Sequence, residues 1–189
     1  MTRYLSKVLL DKGVTRETLP KVIPLFRRVL IPPSTITLSA GDLWNDVMVI
    51  RHGIFRLYYL DSEAKESNKG FFCEGQILAP MARSAKEEPS LFFVETMTYV
   101  EVYQCRYDQL ATLLNNPLRS NRLLYNLAEG LLEDKIRRET MFLQLNAKAR
   151  YEQFKADFPQ LHDRIPLRHI ASYLGMTDVT LSRIRSARR

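Results

Sequence analysis

Cysteine is scarce in this chain. Only Cys73 and Cys105 occur among 189 residues, and both fall in stretches that read as strand. Two thiols cannot supply a four-cysteinate iron–sulfur site within one chain. Buried, unpaired thiols in a reducing compartment are the expectation. Histidine is equally sparse: His52, His162 and His169 are scattered and show no metal-ligand spacing. The seven glycines form no phosphate-binding loop, and no nucleophile–base pair stands at usable spacing. The adjacent Glu87 and Glu88 read as a solvated turn. Neither an enzyme nor a metal or other cofactor is therefore expected. Long apolar runs are missing as well. Nothing reaches the ~20 residues of a membrane-spanning helix, and the N-terminus lacks a signal peptide's charged-then-apolar order. The expectation is a cytoplasmic protein without a membrane partner.

What is present is hydrophobicity enough for a core and an uneven positive charge. Hydrophobic residues make up 46% of the chain, and 28 Lys and Arg oppose 21 Asp and Glu, a formal charge of +7. From Asn146 onward nine bases face four acids, whereas 19 and 17 nearly balance before it. A short basic segment beside a near-neutral larger one fits a polyanion-binding module attached to something else.

The texture along the chain supports that division. Apolar-periodic stretches at Tyr4–Leu10 and Leu19–Phe26 predict two helices, closed by Pro32-Pro33. Short β-rich runs follow at Ile36–Leu38, Val47–Arg51, Ile54–Leu60, Lys69–Cys73, Leu91–Met97 and Tyr99–Cys105. Turn residues such as Gly41-Asp42, His52-Gly53 and Glu74-Gly75 separate them. Apolar residues alternate onto both faces of Ile54–Leu60, so that strand is covered on both sides. Many short strands at this spacing indicate a sandwich, roll or barrel. Helix resumes at Tyr107–Leu114 and again over Leu118–Leu145, where steps of three and four give a seam of Leu124, Leu127, Leu131, Met141 and Leu145, interrupted by Asp134 and Arg138. Asn146 can cap a further helix, Ala147–Asp157.

The informative segment is Ile165–Arg185. Pro166 suits a helix start, Gly175 a left-handed exit, and Thr177 the cap of a second helix opening at Asp178. Small Ala171, with Ile170, Leu174, Met176, Leu181 and Ile184, provides the contacts of two helices crossing steeply. This is a helix-turn-helix, whose second helix fits the major groove of double-stranded DNA. Asp178, Val179 and Arg183 are the candidate base-contacting residues. Arg183 leads, because a guanidinium bonds both guanine acceptors at once. Arg168, Thr177, Thr180, Ser182, Arg185 and Arg188 are suited to phosphates, which set register rather than sequence preference.

The order β-domain, long helix, helix-turn-helix, with Ile170–Thr177 and Thr180–Arg185, resembles the Crp–Fnr family of bacterial transcription regulators. Ala149–Tyr151 through Phe158–Leu161 is similar to the family's hinge-proximal helix, and Gly41-Asp42 with Val49–Tyr59 resembles the first half of a cyclic-nucleotide-binding β-roll. The resemblance implies an α+β fold: a jelly-roll-like β-roll (double-stranded β-helix) over residues 1–117, a long dimerisation helix over 118–145, and an all-α helix-turn-helix domain over 146–189. It also implies a homodimer on double-stranded DNA, with RNA polymerase as a candidate partner.

Three departures qualify what the resemblance implies. Nucleotide-binding members show Gly-Glu-Leu and, later, Arg-Ser or Arg-Thr opening a strand. Here Glu74, Gly75 and Gln76 stand at the first place, and Pro89 and Ser90 at the second. These five are the candidate effector pocket, but proline offers no charge to a cyclic phosphate, which argues against cyclic AMP. Arg83-Ser84-Ala85 matches the tripeptide but sits earlier, in an expected loop. The cysteine count excludes a fumarate-nitrate-type cluster, and nothing points to haem. Finally, the sequence stops at Arg189, so a full wing after the second helix is not expected, and Arg185, Arg188 and Arg189 could take over its backbone contact. An alternative remains: a ligand-sensing protein whose C-terminal helices serve assembly.

Overall fold

The computed structural model describes residues 2–114 and 122–187. Its elements run α1 (Thr2–Asp11), α2 (Leu19–Val22), a 3-10 turn (Ile23–Leu25), β1 (Arg27–Ile31), β2 (Ile36–Leu38), β3 (Asp46–His52), β4 (Phe55–Leu60), β5 (Glu66–Phe72), β6 (Ile77–Leu78), α3 (Arg83–Glu87), β7 (Phe93–Thr96), β8 (Val100–Arg106), α4 (Tyr107–Leu114), α5 (Leu123–Gln144), α6 (Ala147–Asp157), α7 (Leu167–Tyr173) and α8 (Asp178–Ser186). The α+β class and the β-roll are as expected. The strands form two four-stranded sheets, ordered β1-β8-β3-β6 and β2-β7-β4-β5.

Three local expectations are corrected. The second helix stops at Val22 rather than reaching Phe26, because Pro24 cannot donate to its ladder; the chain then extends into β1, where no strand was expected. No strand was expected at Ile77–Leu78, because the two-residue β6 is too short to show a period. The Arg83–Ala85 tripeptide sits in the short helix α3, not a loop, and its Arg83 pairs with Glu87 at 2.8 Å.

The chain divides into two compact units, residues 1–57 with 71–131 and residues 58–70 with 132–189. In the first unit, alternation along β3 feeds two cores. Val47 and Val49 join α1, α4 and Tyr103 on one face, while Met48 and Ile50 join Phe55, Val94 and Val102 between the sheets. β3 is therefore buried continuously from Val47 to Ile50. Register follows from that burial, because a one-residue slip would exchange the two cores. Met48 pairs with Gln104 and Val49 with Tyr103. From Phe55 to Tyr58, β4 is covered on both faces as expected, while Tyr59 and Leu60 are exposed; the covered stretch buries Arg56, whose guanidinium is held by Glu95 Oε2 at 2.7 Å.

The second unit gathers the tip of the β4–β5 hairpin, the C-terminal half of α5, and α6 to α8. Its interior holds Met141, Tyr151, Phe154, Leu161, Ile170, Leu174 and Leu181. Phe154, Phe158 and Tyr173 stack as a cluster, with ring centroids 5.2 to 6.1 Å apart.

Gly53 closes the β3–β4 turn with φ +98°, and a Cβ there would stand 2.4 Å from the Tyr99 carbonyl oxygen. Both the backbone conformation and the close approach demand glycine. Gly53→Ala is expected to destabilise the first unit by about 1–3 kcal/mol. Urea unfolding of the full chain, followed by circular dichroism, measures it; an unchanged midpoint would contradict this account of the turn.

Candidate nucleic-acid interface

α7 begins just after Pro166 and buries His169, Ile170 and Ala171, with Leu174 fully enclosed at its exit. The turn that follows is fixed by backbone bonds. Gly175 N–H donates to Ser172 O at 3.2 Å, and Met176 N–H donates to Ala171 O at 3.0 Å. Gly175 takes φ +65°, and a Cβ on it would lie 2.7 Å from the Phe142 ring. Thr177 then caps α8, its Oγ1 accepting from Thr180 N–H at 3.2 Å.

This geometry anchors α8 through Leu181 and exposes the rest. Asp178, Val179, Ser182, Arg183 and Arg185 face solvent, and Thr180 and Ile184 are half-buried. The base-reading candidates Asp178, Val179 and Arg183 thus share one exposed arc with Ser182. Arg185 and, on α7, Arg168 are also exposed. The hydroxyls of Thr177 and Thr180 lie 2.9 Å apart and bond each other, so a phosphate would have to share them. Arg188 lies outside the described residues, as does the start of the long helix expected at Leu118.

Two arginines that position this unit were not among the expected site residues. Arg138 donates from Nη1 to Lys69 O and from Nη2 to Asn68 O and Tyr173 O, at 2.9 to 3.2 Å. Its guanidinium lies over the rings of Tyr173 and Phe142, at 4.6 and 5.3 Å. Ser172 Oγ accepts from Asn68 N–H at 2.9 Å, so the hairpin tip is bonded to α7 directly as well. Arg150 performs a similar task at the end of α5, described below. The only sequence signal was Arg138 interrupting an apolar seam, which marks a charge facing inward.

The long-helix residues sit differently from the expected seam. Leu124 and Leu127 pack against the first unit's core, Met141 is buried, and Leu145 is half-buried. Of the five, only Leu131 is exposed. Besides Leu131, the exposed large apolar residues of α5 are Tyr125, Leu132, Ile136 and Leu143, on the opposite side of the helix.

The expected effector residues occupy two separate turns. Glu74 Oε1 accepts from Gly53 N–H at 2.9 Å, Gly75 N–H bonds Ile50 O, and Gln76 Oε1 accepts from Cys73 N–H. Ser90 is bonded instead to Gly41 and Asp42, before β3 begins, and Pro89 is exposed. Both cysteines are free and buried, and burial pushes the Cys105 thiol up to about 12. Among the described residues, no group of three or more His, Cys, Asp or Glu could hold a metal ion. No helix among them is long and apolar enough to cross a membrane.

By sequence, no family model and no curated protein matches the chain. Solved structures do match. The global regulator CLP of Xanthomonas campestris, responsive to cyclic di-GMP, superposes with a TM-score of 0.71 at 18% identity over 92% of this chain and 91% of that one. FixK2 of Bradyrhizobium japonicum gives 0.74 at 18% identity over 86% and 83%. The catabolite activator protein of Thermus thermophilus gives 0.53 at 18% identity over 93% and 84%. The fold is that of the Crp–Fnr regulators. In these three cases the superposition extends over 86 to 93% of this chain.

Burial, then the neighbouring Lys135 and Arg138, pushes the Lys69 ammonium down to about 8 from 10.5. Below the folded value both states hold the proton and the full penalty stands. Between about 8 and 10.5 the unfolded chain binds more protons, so stability rises with pH across that window. Lys69→Met is expected to be more stable than the parent near neutrality and to lose that rise. Urea midpoints measured at about pH 7 and about pH 10 test this; parallel slopes in the two proteins would contradict it.

Proposed function

We propose that the chain is a sequence-specific transcription regulator that binds double-stranded DNA as a homodimer, with RNA polymerase as the machinery it acts on. The observation that carries the reading is the exposed arc of α8, presented by a capped turn and anchored from behind by Leu181. A helix of that width enters the major groove, where Arg183 would bond guanine O6 and N7 while Asp178 and Val179 would meet neighbouring base edges. Ser182 and Arg185 are exposed for phosphate contacts on either side, as is Arg168, whose Nε donates to His169 Nε2 at 3.3 Å.

Dimerisation is assigned to the outward face of α5. Tyr125, Leu132, Ile136 and Leu143 recur at steps of seven and four, and their exposures of 64, 59, 49 and 78% leave an apolar stripe in water. A second copy of α5 would cover it and give a two-fold axis, which requires half-sites one helical turn, ~34 Å, apart. Cyclic AMP is not the effector in this reading, because Pro89 offers neither charge nor donor where a cyclic phosphate would need both.

Selection of bound duplexes from a random pool tests the reading. The wild type is expected to enrich a two-fold symmetric site, and Arg183→Ala to lose about 1–3 kcal/mol of discrimination at one base of each half-site. Unchanged preference in the variant would overturn the assignment of α8. Sedimentation of Ile136→Glu tests the dimer face separately. A shift to monomer with intact circular dichroism is expected, and a persistent dimer would reject the stripe.

A further inference from the structure

β3 and β8 meet at one end of the roll. Asp46, the first residue of β3, is paired across the ladder with Arg106, the last of β8. Alternation puts both side chains on the face that carries Met48, Ile50, Val100 and Val102 into the core between the sheets. Opposite charges directly across an antiparallel ladder ordinarily bond each other. Here they do not. Arg106 turns to Asp108, with Nε 3.7 Å from Oδ1, and the Asp46 carboxylate forms no ion pair among the described residues.

Both residues line a cavity of about 100 Å³ that opens between the sheets. Its floor is apolar, made by Leu38, Met48, Leu78 and Val94, which belong to the inter-sheet core. Trp44 lines it as well, braced edge-on by Phe92 with ring centroids 5.8 Å apart. Thr37 and Asn45 add polar groups to the lining.

We propose that this cavity binds an aliphatic α-amino acid, with its carboxylate on Arg106, its ammonium on Asp46 and its side chain on the apolar floor. A zwitterionic head answers both charges at once. A simple carboxylic acid would face the Asp46 carboxylate, and a simple amine would face the Arg106 guanidinium. Guanidinium and carboxylate match as a planar, two-bond pair. Within the class, the floor of Leu38, Met48, Leu78 and Val94 favours an aliphatic side chain such as that of leucine, isoleucine or valine. The proposal deepens the reading of the β-roll as the effector domain, and it draws on none of Glu74, Gly75, Gln76, Pro89 or Ser90.

Trp44 is the chain's single tryptophan, so its emission reports directly on this cavity in the full chain without DNA. Titration with L-leucine is expected to shift that emission saturably. Isocaproic acid, which lacks the ammonium, and isoamylamine, which lacks the carboxylate, should each bind at least about ten-fold more weakly. Arg106→Gln and Asp46→Asn should weaken leucine by a similar factor, with thermal melting as the check that they remain folded. No saturable shift with leucine, isoleucine or valine overturns the proposal. So does equal binding of isocaproic acid and leucine by the wild type, a comparison that stands even if a variant fails to fold. Because DNA is absent throughout, failure here leaves the assignment of α8 untouched.

Discussion

The last turn of an α-helix leaves carbonyl oxygens without donors, and in this protein one guanidinium answers that need beside the turn that presents α8. Arg150 donates from Nη2 to Phe142 O, from Nε to Leu145 O and from Nη1 to Leu174 O, at 3.0, 3.0 and 3.3 Å. The first two oxygens belong to the end of α5 and the third to the end of α7. Leu174 immediately precedes Gly175, so the bond fixes where the turn begins and therefore how α8 is presented. Phe142 is shared by the same arrangement: it lies 4.7 Å beneath the Arg150 guanidinium and leaves no room for a Cβ on Gly175. A lysine could not substitute, because a point charge on a flexible stem cannot address three oxygens in a plane and stack on a ring as well.

Net charge in the C-terminal segment therefore overstates what is available to a polyanion. Of its nine bases, Arg150 is committed to internal carbonyls and Lys155 lies 2.7 Å from Glu152. Arg138, earlier in the chain, is likewise bound to backbone oxygens, and its charge stands near Lys69 and Lys135. Carbonyl dipoles and aromatic faces, rather than carboxylates, hold Arg138. That arrangement secures the hairpin tip against α7 at the expense of repulsion among cations, which the depressed Lys69 registers.

What could be read in the sequence was what depends on local rules. Thr177 as a cap, Gly175 as a left-handed exit and Asn146 as the start of α6 each follow from one residue's stereochemistry, and each stands where expected. The burial of β4 on both faces was legible for the same reason. What was not legible depended on partners far along the chain. β1 lies in register with β8, Val29 opposite Val102, and nothing in Arg27–Ile31 alone announces that pairing. Arg138 could be seen only as a charge in the wrong place, since the carbonyls it serves come from residues 68, 69 and 173. The opposed charges of Asp46 and Arg106 are 60 positions apart and acquire meaning only through the ladder.

The long helix shows where periodicity itself runs out. A repeat of three and four identifies an apolar stripe but says nothing about what covers it. α5 carries two such stripes. Leu124, Leu127 and Met141 turn toward the chain's own cores, whereas Tyr125, Leu132, Ile136 and Leu143 turn away from them. In sequence the first looks the better seam, because three leucines open it. The difference lies in what interrupts each one. The inward stripe contains Arg138, tolerable only because folded backbone supplies its oxygens. The outward stripe lacks such internal support, so its apolar residues must remain wet or be met by another surface. Under the proposed dimer, α5 serves a core on one side and a partner on the other; two stripes on opposite faces leave its overall amphipathic contrast weak.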